Sequence, residues 1–226
     1  MTEINIKGPI VNNSEEWIYN FFGEDCTSAN RIAQELKNAN GDDVTVNINS
    51  GGGDMFTASE IFQLLNNYEG NVTIKIVGIA ASAASVIACA GYSEIAPTAL
   101  MMIHNVSSSL YGDNRDHQHE AEVLKKCNKS ISNAYRLKTG MAESELLALM
   151  NKETWLTAEE AVEKGFCDKI IENKQNNNNT NLSFVASIGG MIAPDKIAKM
   201  QKKKKENQIK IELLNLKQRK EFKNEI

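Results

Sequence analysis

The sequence predicts an α/β fold in which helices cross between parallel strands. Two kinds of observation carry that expectation. Short hydrophobic runs of strand length alternate along the chain with segments whose apolar residues recur at helical spacing. Twice, at Gly51-Gly52-Gly53 and at Gly78 to Ser82, a strand-like run passes through glycine and other small residues directly into a helical pattern. Strands separated by helices need crossover connections, and crossovers favour parallel pairing.

The first residues, up to Lys7, alternate as a half-buried strand does, with its centre at 4–6. A helix follows over 15–22, and another over 29–39, where Ser28 is the N-cap and Asn40-Gly41 the stop. Val44-Thr45-Val46-Asn47-Ile48 alternates again, so a strand is expected at 44–48. Phe56, Ile61, Phe62, Leu64 and Leu65 then mark a helix over 55–67. A buried strand at 73–77 is expected to end in a tight turn of small residues and enter an apolar helix over 83–91, with Cys89 inside it. Strands are expected at 94–96, 101–103 and 168–171, and helices at 116–139 and 144–150. The long 116–139 segment has an intermittent apolar stripe: Ala121, Leu124, Cys127, Ile131, Ala134 and Leu137. Thr157 with Glu160 forms a capping box that opens a helix at Ala158, and Lys164-Gly165 closes it.

Four stretches carry chemistry. Ser82 lies among small residues at a helix start, where unpaired amides and the positive end of the helix dipole suit a nucleophile. The same position also suits a plain N-cap serine. Gly51-Gly52-Gly53-Asp54 is costly in backbone entropy and makes sense where main-chain amides must face a partner, either a phosphate or an acyl-transfer oxyanion. It matches neither phosphate-binding glycine pattern, which weakens the phosphate reading, and a simple flexible turn fits three glycines equally. His104 ends a short apolar run and opens a serine-rich loop, a position suited to a general base. Glu153 precedes Trp155-Leu156 and can orient an imidazole, although by itself it is one surface acid among 29 acidic residues.

Together these motifs resemble the Clp peptidase family, ClpP and its relatives in the ClpP/crotonase superfamily. The family's Ile-Asn-Ser-Pro-Gly-Gly is similar to Ile48-Asn49-Ser50-Gly51-Gly52-Gly53, and its Gly-x-Ala-Ala-Ser turn to Gly78 through Ser82. Its Met-Ile-His is similar to Met102-Ile103-His104, and its Asp-x-Phe/Trp-Leu-Thr/Ser-Ala-x-Glu-Ala to the segment from Glu153 to Ala161. The resemblance runs from Ile4 to Ile171. It implies repeated ββα units, a protruding handle helix (the 116–139 segment) and assembly into heptameric rings or a double ring.

By that resemblance Ser82 is the nucleophile, His104 the general base and Glu153 the triad acid, where the family has aspartate. The amides of Gly52 and Ala83 form the oxyanion hole. Gly53, Met55, Asn105 and Val106 border the bound peptide. The implied reaction is peptide-bond hydrolysis through an acyl-enzyme, which needs no metal or organic cofactor.

The opening Gly8-Pro9-Ile10-Val11 and Trp17-Ile18-Tyr19, with the Gly51 to Asp54 turn and the Glu153 to Thr157 segment, look most like the ClpP-related head maturation proteases of phages and prophages. That likeness implies capsid or scaffold precursors as substrates and action without an ATPase. It also implies a location in the bacterial or phage-infected cytoplasm, within the assembling prohead. The first alternative is a proteolytic subunit partnered by an AAA+ unfoldase. The others are a crotonase-fold acyl-CoA enzyme and a non-catalytic assembly protein.

Composition agrees with an enzyme domain. The 226 residues are 42% hydrophobic and carry a net charge of −4, which implies no nucleic-acid affinity. Four scattered cysteines form no metal-like pairs, and His117 and His119 fall on different sides of a helix. The longest apolar stretch, 76–91, is too short to span a membrane. Three segments follow: a peptidase domain over 1–172, an asparagine-rich linker over 173–182, and a basic tail over 183–226 containing Lys202 to Lys205, with a brief helix expected at 194–200.

Overall fold

The structure is a computed structural model that describes residues 2–172 and residue 209. The chain divides into two compact units, Met1–Asn173 and Lys174–Ile226. The expected linker, the brief helix and the basic tail lie outside the described residues, apart from the exposed, helical Ile209.

The described unit runs β1 (Thr2–Lys7), α1 (Glu16–Phe22), α2 (Ala29–Ala39), β2 (Val44–Ser50), α3 (Met55–Asn66), β3 (Val72–Ala81), α4 (Ala83–Ala88), β4 (Tyr92–Ile95) and β5 (Leu100–Ile103). It continues with α5 (Asn114–Thr139), α6 (Glu143–Asn151), β6 (Thr154–Leu156), α7 (Ala158–Glu163) and β7 (Lys169–Ile170). The strands form one sheet in the order β1-β2-β3-β4-β7, with β5 paired to β3 and β6 to β5. All pairings are parallel except β5 with β6.

The sheet has one dry face. Register places Ile4, Val46, Ile74 and Ser93 in one row and Ile6, Ile48, Ile76 and Ile95 in the next, and every one of these residues is buried. The neighbouring row on the opposite face is polar: Asn5, Asn47, Lys75, Glu94 and Lys169. Because side chains alternate along a strand, this one-residue offset separates core from solvent. Helix ends follow the local chemistry. The Ser28 side chain accepts from Arg31 N–H, Asn40 ends α2 in the left-handed region, and Thr157 and Glu160 close a reciprocal capping box. Lys138, near the end of α5, donates to the Gly91 carbonyl at 2.8 Å and pairs with Asp168, which also accepts from Ser93 N–H at 2.7 Å.

Several expected boundaries move. β3 does not stop at Val77: Gly78 to Ala81 stay in the strand because Ile79, Ala80 and Ala81 pair with Leu100, Met101 and Met102 of β5. α4 closes at Ala88, where Cys89 and Ala90 bond back to Val86 and Ile87 three residues earlier; Cys89 is its buried C-cap and not an interior residue. β4 begins earlier, at Tyr92. β6 was not expected, being only three residues long. On α5 the faces differ from the expected stripe. Ala121 and Leu137 are exposed, and Val123 joins Leu124, Cys127 and Ile131 towards the body. The buried residues of α5 lie only near its C-terminal end (Ser132, Ala134, Tyr135), and further towards its start only the cleft-facing side is partly covered.

The two faces of the sheet should respond differently to truncation. Ile76→Ala is expected to cost about 2–5 kcal/mol, whereas exposed Glu3→Ala stays within about 0.5 kcal/mol. Urea unfolding midpoints measure both, and equal losses would contradict the one-faced core.

Candidate active site

Ser82 stands at the tip of β3, one residue beyond the last pair with β5, and its N–H donates to the Met102 carbonyl at 2.9 Å. His104 is two residues past Met102, just after β5 ends. Strand pairing therefore delivers both side chains to one point, with Ser82 Oγ 2.8 Å from His104 Nε2. Ser82 occupies the N-cap position of α4, yet its side chain makes no capping bond. Its hydroxyl is committed to the imidazole instead.

The backbone at Ser82 is unusual: φ is 55° and ψ −125°, a conformation that costs a residue bearing a side chain of the order of 1–3 kcal/mol. It turns the chain sharply between strand and helix and lifts Oγ off the sheet edge. The adjoining Gly52 has φ 97°, and a Cβ there would meet Ser82 Cβ at 2.7 Å and Ala83 N at 2.9 Å. The glycine turn therefore lies directly against Ser82.

The two expected oxyanion donors differ. Among the described residues no acceptor is bonded to Ala83 N–H, whereas Gly52 N–H donates to Ser50 Oγ at 3.1 Å. Ser50 Oγ in turn donates to the Gly8 carbonyl at 2.6 Å. Gly53 is pinned through its neighbours: Ile10 N–H donates to Gly52 O, and Asp54 N–H to Ile10 O. The Gly53 N–H itself has no partner among the described residues.

Ser82 and His104 open onto a cleft of about 340 Å³ whose walls include Gly53, Met55, Ala83 and Val106. Phe56, Val86, Leu124, Cys127 and Ile131 make much of it apolar, with Glu120 among the polar groups. A larger groove of about 510 Å³ lies between α2 and α3, away from the serine. Size does not choose between them; the Ser82–His104 contact does. Asn105 is not in the cleft wall. Its Nδ2 donates to Asn151 Oδ1 at 2.8 Å, and its own Oδ1 is buried without a partner among the described residues. Val106 faces the cleft, but its N–H is taken by Asn128 Oδ1 at 2.7 Å.

Glu153 is not bonded to His104. Its Oε1 accepts from the Trp155 indole at 3.3 Å, the residue is exposed, and its φ is 51°. The antiparallel β5–β6 ladder ends with Ile103 paired to Thr154, so His104 and Glu153 each lie one residue beyond the last pair.

Burial raises the Cys167 thiol to about 11 and pushes Cys89 up as well, so neither offers a thiolate that competes with Ser82. Cys127 is the one cysteine of the four that is not buried. Among the described residues no cluster of three or more His, Cys, Asp or Glu is placed to hold a metal ion, and no helix is long and apolar enough to cross a membrane.

A parallel sheet that ends in a strained serine against an imidazole, beside a glycine turn, belongs to the serine-type peptidases. More narrowly, the chain belongs to the Clp protease family, whose sequence pattern it matches over residues 19–174. It is 28% identical over 155 residues to ATP-dependent Clp protease proteolytic subunit 1 of Streptomyces avermitilis, covering 66% of this chain and 71% of that protein. It is 29% identical over 152 residues to ATP-dependent Clp protease proteolytic subunit 2 of Thermobifida fusca, covering 64% of this chain and 75% of that one. A solved mutant of ClpP1 from Listeria monocytogenes superposes with a TM-score of 0.63 at 22% identity, over 76% of this chain and 92% of that chain, which establishes the shared fold.

The walls missed by sequence reading come chiefly from α5, which supplies Glu120, Val123, Leu124, Cys127 and Ile131. Helical spacing announces an apolar stripe there, but not what the stripe faces.

Two outcomes test the geometry. Gly52→Ala places a methyl group against Ser82 and Ala83 and should lower kcat at least a hundredfold, the typical loss of one oxyanion donor, while the fold survives by circular dichroism. Alkylating Cys127 with N-ethylmaleimide should slow peptide hydrolysis by filling the cleft, and a Cys127→Ser variant should be insensitive to the reagent.

Proposed function

We propose that this chain is a serine endopeptidase of the head-maturation type, which cuts capsid and scaffold precursors inside an oligomeric ring during phage assembly. The observation that carries the peptidase chemistry is the 2.8 Å contact between Ser82 Oγ and His104 Nε2 at the mouth of a cleft. His104 takes the Ser82 proton as Oγ attacks the scissile carbonyl, and Ala83 N–H faces the oxyanion that forms. Gly52 N–H joins it by turning from Ser50. The protonated imidazole then passes its proton to the leaving amine, and water releases the acyl-enzyme by the same route in reverse. Glu153, rotated away from Trp155, accepts from the other ring nitrogen and stabilises the imidazolium. The apolar walls favour an apolar side chain beside the cut bond.

Support for the head-maturation setting comes from the motif likeness: Gly8 to Val11, Trp17 to Tyr19, the Gly51 to Asp54 turn and the Glu153 to Thr157 segment. Support for a ring comes from family membership. Apolar side chains left exposed on the described unit, Phe56 among them at 70%, are available to a second copy. The alternative reading, a proteolytic subunit fed by an ATP-driven unfoldase, has one specific support: the similar bacterial proteins carry the name ATP-dependent Clp protease proteolytic subunit.

Co-expression with the neighbouring capsid and scaffold genes is the deciding experiment. Processed capsid protein should accumulate with the native chain and vanish with Ser82→Ala, without any added ATPase. Processing that requires a co-purifying AAA+ protein would move the assignment to the alternative. A fluorophosphonate should label the native chain at Ser82; failure to label, with head assembly intact, would remove peptidase chemistry altogether.

A further inference from the structure

We propose that Tyr135 and Ser85 are positioning residues for the nucleophile: in series they clamp the Ser82 carbonyl and so hold the Ser82 hydroxyl against His104. The inference rests on the reading of Ser82 as the attacking group.

The starting observation is the backbone of Ser82. With φ 55° and ψ −125°, it persists only where its surroundings over-determine it. Both sides of the residue are tied. Its N–H donates to Met102 O at 2.9 Å, and its carbonyl accepts from Ser85 N–H at 3.0 Å and from Ser85 Oγ at 2.6 Å. The first bond fixes where the strand ends. The other two fix how far ψ turns, and with it where the chain enters α4.

The direction of the chain of hydrogen bonds is set by counting protons. A serine hydroxyl has one hydrogen, and a carbonyl oxygen has none to give. Ser85 therefore spends its hydrogen on Ser82 O, and the phenol of Tyr135, 2.8 Å away, must donate to Ser85 Oγ. Tyr135 and Ser85 are both fully buried. Burial pushes the Tyr135 phenol above its ordinary range, so it stays protonated and remains a donor. Its ring is held edge-on against Phe166 with centroids 5.8 Å apart. The chain thus runs from the buried end of α5, through α4, to the residue carrying Oγ.

Serine bonding back to a carbonyl three residues earlier is common in helices and by itself means little. Here the accepting carbonyl belongs to the strained residue that bears the reactive hydroxyl, and a buried donor from a different helix backs the bond. Tyr135→Phe removes one oxygen and keeps the shape. Ser85→Ala removes the shorter of the two bonds to Ser82 O, keeps the N–H bond, and takes away the acceptor of the phenol.

The test uses the full chain with Tyr135→Phe, Ser85→Ala and the double variant. It reads kcat and KM on a fluorogenic peptide, the rate of fluorophosphonate labelling, thermal melting, and the ring ¹⁵N shift of His104. The expected result for Tyr135→Phe is a loss of about tenfold in kcat and in labelling rate with KM little changed, because a misplaced nucleophile weakens reaction more than binding. The double variant should lose no more than Ser85→Ala alone, since both act through one carbonyl. The His104 ring shift should move in all three. A lowered melting temperature with kcat, labelling and ring shift all as in the native chain would overturn the inference and leave a purely structural bridge. If the native chain neither cuts peptide nor labels, the peptidase reading fails separately; the ring shift still decides whether Tyr135 and Ser85 hold Ser82 against His104.

Discussion

The site depends on β3 changing neighbours part-way along its length. From Thr73 to Ile76 it lies beside β4, and from Ile79 to Ala81 beside β5. Between the pairs Ile48/Ile76 and Ser50/Ala80 it also advances two residues more than β2 does. Gly78 sits at that irregularity, and a Cβ there would meet Asn49 Oδ1 at 2.4 Å. A larger residue there would have to push the exposed Asn49 side chain aside. Without the switch, β5 would have no edge to join at this level, and His104 would lie a strand away from Ser82.

Main-chain groups then complete what the strands begin. Ser82 N–H is consumed by Met102, which locks Ser82 to the strand that ends beside His104, while Ala83 N–H is left without a partner among the described residues. A donor fixed by the backbone costs no reorganisation when charge develops, which is why such groups dominate acyl-transfer barriers. Gly52 is the less finished half. Its 3.1 Å bond to Ser50 Oγ is long, and Ser50 is already held by Gly8 at 2.6 Å. A weak bond of this kind can be exchanged for a stronger one to an oxyanion, since charge-assisted hydrogen bonds are about twice as strong.

Much of the fold was legible because local signals agreed with one another. Ser28 and Asn40 bound α2, Thr157 and Glu160 open α7, and Ile4 and Val46 follow from alternation in two strands, which the buried run at 73–77 joins through Ile74. That Ser82 and His104 come together was legible from residue type in motif context. Other features were not, because they depend on contacts between distant segments. No local signal tells β3 to keep going through Gly78, since only the edge of β5 makes that segment a strand. The three residues of β6 are too few to show a period. Asn105 and Val106 read as one peptide-binding pair, yet the first turns to Asn151 and the second is bonded by Asn128 from α5.

The acid shows where sequence and geometry part most clearly. The motif likeness assigns Glu153 to the triad, and the antiparallel ladder ends one residue short of both Glu153 and His104. The side chain nevertheless rests on Trp155. A glutamate has one more methylene than the family's aspartate, and at φ 51° its backbone already departs from an ordinary strand. An exposed 3.3 Å bond to a neutral donor is a weak competitor for a carboxylate that can pair with a forming imidazolium. The acid is also the member whose loss a triad tolerates best, the hydroxyl–imidazole pair carrying more of the rate. A site that holds Ser82 and His104 by backbone pairing and leaves Glu153 free to turn has therefore put its rigidity where misplacement costs most.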